Sequence, residues 1–95
     1  MSEPQQRRVA LVTGASGGIG RAICKELAEA GCDIVLTGRR VDALESIAKA
    51  VREWGGESLV VPAEVGVSEQ VESVVRAALD KFGRLDILVN NAGVT

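Results

Sequence analysis

The chain predicts an α/β domain: a doubly wound parallel sheet with helices on both faces. Three observations predict it. Short apolar runs alternate with longer amphipathic runs in the order βαβαβαβ. The short runs are continuously apolar, as strands covered on both faces are, rather than alternating. A glycine-rich turn joins the first apolar run directly to the first amphipathic one.

Residues 1–7 are polar and read as a flexible leader, with 8–95 as a single domain. Residues 8–13, carrying Val9-Ala10-Leu11-Val12, predict the first strand. Residues 19–30 predict the first helix, with Ile19, Ala22, Ile23, Leu27 and Ala30 on one face and Gly31 closing it. Residues 33–37 predict the second strand, and Gly38-Arg39-Arg40 a loop. Residues 41–54 predict the second helix, with Val41, Leu44, Ile47, Ala48 and Val51 at helical spacing. Asp42 and Glu45 favour its positive N-terminal end, and Gly55-Gly56 terminates it. Residues 58–62 predict the third strand. Ser68 is the expected cap of a third helix with an unbroken apolar stripe of Val71, Val74, Val75, Ala78, Leu79 and Phe82. Gly83 stops it, and residues 86–90 predict the fourth strand.

Right-handed crossovers place the first two helices on one face and the third on the other, so the expected strand order is 3-2-1-4. The order reverses beside the first strand. Ligands bind at such a switch point, at the carboxyl ends of the strands. The glycine turn lies there.

Composition narrows the function classes. Nearly half of the 95 residues are apolar, so a packed core is expected and disorder is not. Net charge is −2 and the basic residues are scattered, which argues against a nucleic-acid partner. No apolar run approaches a membrane span, and the N-terminus lacks a signal peptide's apolar region. The expected location is the cytoplasm. There Cys24 and Cys32 are expected as free thiols, and with no histidine no metal site is expected.

The chemistry is carried by two motifs. Thr13-Gly14-Ala15-Ser16-Gly17-Gly18-Ile19-Gly20 spaces its glycines as GxxxGxG between strand and helix. A pyrophosphate needs bare N–H groups and a close approach; glycines supply both, and a helix N-terminus adds unpaired donors and a positive dipole end. Gly14 is the expected tight turn, Gly18 the close approach, and Gly20 the close contact of helix with strand. The second motif, Asn90-Asn91-Ala92-Gly93, follows the fourth strand. Its carboxamides can both donate and accept, so they can pin strand ends and meet a ribose.

Together, TGASGGIG and LVNNAG resemble the short-chain dehydrogenase/reductase family, and most closely its 3-oxoacyl-[acyl-carrier-protein] reductase-like members. The likeness runs from about Arg8 onward. It implies a Rossmann fold, truncated here after strand four, a nicotinamide dinucleotide, and hydride transfer between that cofactor and a carbonyl or alcohol substrate. Residues 8–95 are then the dinucleotide-binding half-domain. By resemblance Gly14, Ser16, Gly17, Gly18, Ile19 and Gly20 face the cofactor. Asn91, Ala92 and Gly93 lie along the adenosine ribose, and Asn90 braces the sheet. A homo-oligomer is expected, as is a small-molecule substrate.

The end of the second strand points to NADP rather than NAD. Asp33 opens that strand, about 13 Å from the ligand end, too far for the ribose hydroxyls. Where the family places its NAD-selective acid this chain has Gly38, followed by Arg39. A guanidinium can grip a 2′-phosphate through a charge-assisted fork, and Arg40 can stack on adenine. Gly17 stands where many NADP-binding relatives carry a second basic residue, which loosens the expected grip. After the third strand Glu64-Val65 replaces the family's Asp-Val. Either the longer Glu64 carboxylate reaches the adenine, or the backbone of Val65 alone does. Trp54 is expected to pack in the core or at its rim rather than to serve as a ligand platform.

The family's catalytic serine and Tyr-x-x-x-Lys pair fall beyond the second motif, and the chain has no tyrosine. No catalytic residue is expected in it, and the chain by itself is expected to be inactive. Three readings stand: the cofactor-binding first part of an NADP-dependent reductase, a short non-catalytic dinucleotide-binding or interaction module, or an inert fragment that binds no nucleotide.

Overall fold

The computed structural model describes residues 7–14, 17–63 and 68–90. Its elements are β1 (Arg8–Thr13), α1 (Gly18–Glu29), β2 (Cys32–Gly38), α2 (Val41–Glu53), β3 (Ser58–Pro62), α3 (Ser68–Phe82) and β4 (Ile87–Asn90). The four strands form one sheet in the order β3-β2-β1-β4, with every pair parallel. This is the Rossmann arrangement expected from the sequence.

Strand parity divides the apolar residues between two faces. Ala10, Val12, Ile34 and Leu36 pack with Cys24 and Ala28 of α1 and with Leu44, Ile47, Ala48 and Val51 of α2. Val9, Leu11 and Val35 pack on the other face with Val74 and Ala78 of α3. Continuous apolar strands are therefore required here, because each neighbouring pair of side chains feeds a different core.

Helix α1 corrects one expectation. Its fully buried line is Gly20, Cys24 and Ala28, while Ile19 is 64% exposed. Ala22 and Ala30 are also exposed, and Ile23 and Leu27 pack only at the margin. Small residues spaced four apart let the helix axis lie close to the sheet, and the two larger side chains reach the core from its flank. Weighting by hydrophobicity alone passes over a line made of Gly, Cys and Ala.

The α3 stripe is also only half used. Val74 and Ala78 are buried, but Val71 and Leu79 are 36% and 46% exposed. One helix, about 10 Å across, spans roughly two strands spaced about 4.8 Å apart. With α3 as the one helix on that face among the described residues, the four-stranded sheet leaves apolar surface in water. Leu88 of β4 pairs in register with Leu11, yet Leu88 is 64% exposed against 2% for Leu11. On its outer edge β4 has no strand partner among the described residues. Such an edge promotes association. Leu88→Lys is expected to lower the associated fraction in sedimentation velocity with little change in melting temperature. An unchanged distribution would show that the edge is not the adhesive surface.

Charged clamps hold the amino end of the sheet. The Asp33 carboxylate accepts from Arg7 Nε at 2.7 Å and from the Glu57 amide at 3.0 Å. Asp86, expected within the fourth strand, instead precedes β4. Its carboxylate accepts from the Val9 amide at 2.8 Å and from a two-pronged Arg84 guanidinium at 2.8 Å. The Arg84 guanidinium, and then the Val9 amide, hold the Asp86 carboxyl below its ordinary value of 3.8. Its contribution to stability is therefore present above that ordinary value and is lost as pH falls through the lowered one. Asp86→Asn should lower the melting temperature at neutral pH, and the gap to the parent chain should close in acid. A gap unchanged in acid would show that the carboxylate's charge contributes nothing.

Cys24 and Cys32 are both buried and unbridged. Burial pushes the Cys24 thiol up to about 12, so it is protonated and unreactive at neutral pH.

Candidate functional site

The carboxyl ends of β1, β2 and β4 bring together the glycine turn, the Arg39 loop and Asn90. Thr13, Thr37, Val61 and Asn90 form one row across the sheet in register. The Thr37 hydroxyl donates to the Val61 carbonyl at 2.7 Å. The Thr13 hydroxyl is shared between the Val89 carbonyl and Asn90 Oδ1, both at 3.3 Å. Two threonines thus tie neighbouring strand ends from within. Thr37 escaped the sequence reading, because a β-branched residue in a strand carries no signal beyond its propensity.

The chain leaves this floor at Gly14, whose φ of 61° is a left-handed value that favours glycine. Its amide donates to the Thr37 carbonyl at 3.0 Å. Gly14 therefore shapes the turn, and its N–H is already engaged by the protein. The turn then delivers Gly17, Gly18 and Ile19, all exposed, and Gly20, buried against the sheet.

The start of α1 is an open donor site. Its N-cap, Gly17, makes no side-chain cap hydrogen bond, and the first turn contains no acid. Among the described residues, no acceptor meets the amides of Gly18, Ile19 or Gly20. Gly17 has φ −88° and ψ 174°, extended backbone that any residue adopts. A Cβ built at Gly17 or at Gly18 would meet nothing within 4 Å. Neither backbone strain nor protein packing calls for glycine at these two positions. By contrast, a Cβ at Gly56 would lie 2.7 Å from the Cys32 carbonyl oxygen, so that glycine is explained by packing alone.

At the end of β2, a Cβ built at Gly38 would lie 3.8 Å from the methyls of the buried Leu44, and Arg39 is exposed. Arg40 is the N-cap of α2, and its carbonyl accepts from the Leu44 amide at 3.0 Å. Asp33 lies at the other end of the same strand. Ser16, Glu64, Val65, Asn91, Ala92 and Gly93 lie outside the described residues.

The Arg21 guanidinium, in the first turn of α1, sits 5.1 Å from the ring centre of Trp54, at the end of α2. This contact was not foreseen. It links the first turn to the chain's single tryptophan. A cleft of about 800 Å³ lies at the amino end, lined by residues including Arg7, Asp33, Arg84 and Asp86. Its charges are committed to the two clamps, and the strand ends that carry the glycine turn are on the opposite side. Among the described residues no cluster of three or more His, Cys, Asp or Glu could hold a metal ion.

A family model for short chain dehydrogenase matches residues 8–95. The chain belongs to the short chain dehydrogenase family. Its relatives include a 3-oxoacyl-[acyl-carrier-protein] reductase of Synechocystis, 42% identical over 89 residues, a match that covers 93% of this chain and 36% of the relative. Among solved structures, L-sorbose reductase from Gluconobacter frateurii, complexed with NADPH and L-sorbose, superimposes with a TM-score of 0.87 at 43% identity. That match covers 94% of this chain and 34% of the reductase. An NAD⁺-bound xylitol dehydrogenase gives a TM-score of 0.87 at 41% identity, covering 92% of this chain and 34% of that one. The chain thus spans about a third of the length of the short chain dehydrogenases it matches.

Proposed function

We propose that this chain is the NADP(H)-binding portion of a short-chain oxidoreductase that transfers hydride between the nicotinamide cofactor and a carbonyl or alcohol. The observation that carries this reading is the start of α1. The amides of Gly18, Ile19 and Gly20 meet no acceptor among the described residues, and they lie beside two glycines whose side-chain space is open, at the point where strand order reverses. A pyrophosphate fits such a seat: it needs several N–H donors, favours the positive end of a helix, and demands close approach. The amides of Gly18, Ile19 and Gly20 would hold the pyrophosphate, with Ser16 beside them. Gly14 would set the turn and Gly20 the helix-to-sheet contact. Asn91, Ala92 and Gly93 would line the adenosine ribose, and Glu64-Val65 would meet the adenine. The bound cofactor would supply or accept the hydride; this chain's residues would position it.

Preference for NADP rests on Gly38 and Arg39. The last residue of β2 is Gly38 rather than an acid, and the exposed Arg39 follows it. On this reading the Arg39 guanidinium would offer a charge-assisted donor to a 2′-phosphate. The relatives bear out a nicotinamide dinucleotide of either kind, since the sorbose reductase holds NADPH and the xylitol dehydrogenase NAD⁺. The substrate of the whole protein is read as a small carbonyl or alcohol, with a 3-oxoacyl thioester as one class. A cytoplasmic location accords with two buried, unbridged thiols, and a homo-oligomer accords with the exposed Leu88 edge.

The test is titration of the chain with NADPH and NADH, read as energy transfer from Trp54 to the bound nicotinamide. NADPH is expected to bind more tightly, and Arg39→Ala to weaken NADPH while leaving NADH unchanged. Equal loss of both cofactors would place Arg39 outside a phosphate site, and no transfer with either would overturn the proposal.

A second reading is favoured by one fact: the chain contains neither tyrosine nor histidine. Without them it lacks the usual carriers of a proton to a substrate oxygen near neutral pH. On this reading the 95-residue chain by itself would bind a dinucleotide without catalysis. Mixed with NADPH and a panel of ketones, it should show no loss of NADPH absorbance above the buffer rate. Steady turnover would mean that another group moves the proton.

A further inference from the structure

We draw no further inference here: the strongest candidate, the apolar strip of Val71, Val75 and Leu79 on the outer side of α3 together with the exposed Leu88 of β4, is an unpartnered surface, and nothing in the structure shows what covers it.

Discussion

Gly18→Val is expected to abolish NADPH binding while leaving the fold intact. The position is exposed at the first residue of α1, and a Cβ there meets no protein atom within 4 Å. Removing glycine from a helix favours folding by up to about 1 kcal/mol, and valine's branching offsets part of that gain. The change in stability should therefore stay under about 1 kcal/mol. Binding is a different matter. The new methyl groups occupy the space through which an anion would approach the amides of Gly18 and Ile19. Losing those charge-assisted bonds should weaken NADPH by at least about 100-fold, or about 2.8 kcal/mol. Energy transfer from Trp54 measures the affinity, and thermal melting of the same sample measures the fold. Retention of parental affinity by a folded Gly18→Val chain would remove the pyrophosphate from the start of α1.

Gly38→Asp is expected to reverse the cofactor preference. A Cβ at residue 38 would lie 3.8 Å from both terminal methyls of Leu44, which is ordinary contact, and the backbone there is not left-handed. The fold can therefore accept the side chain. A carboxylate at the end of β2 accepts from a ribose 2′-hydroxyl and repels a 2′-phosphate. Gaining one charged hydrogen bond to NADH and adding repulsion to NADPH should together move their affinity ratio by about 30- to 150-fold, roughly 2–3 kcal/mol. Combining it with Arg39→Ala should move the ratio further in the same direction. Titrating both cofactors separates this outcome from simple damage, because one affinity should rise as the other falls. An unchanged ratio would show that the adenosine ribose does not lie against β2.

The fold around the candidate site was legible in the sequence because its signals are local. The spacing of Gly14, Gly18 and Gly20 between an apolar run and an amphipathic run marks a strand–turn–helix junction, and the order of runs sets where that junction falls in the sheet. The reading of Asp33 was local as well. Its position at the start of an apolar run places it at the amino end, where the structure has it clamped by Arg7 and the Glu57 amide. Non-local signals were harder to see. The buried line of α1 is Gly20, Cys24 and Ala28 because that helix must lie close to β1 and β2, and no hydrophobicity pattern records a distance to another element. Gly56 reads in sequence as a helix terminator, while its need for glycine comes from the Cys32 carbonyl, which belongs to β2. The hydrogen bonds of Thr13 and Thr37, and that of Asp86 with the Val9 amide, join residues far apart in the chain.

Order and periodicity alone determined the α/β class, the parallel sheet, the 3-2-1-4 order and the end of the sheet where a ligand would sit. These follow from chain connectivity and the handedness of crossovers, which are properties of consecutive segments. Only the tertiary structure decided which side of α1 is buried, how little of α3 is covered, and which amides at the start of α1 meet no acceptor among the described residues. Those depend on what stands across the gap between elements, and contacts of that kind form only once the sheet has brought distant segments within reach.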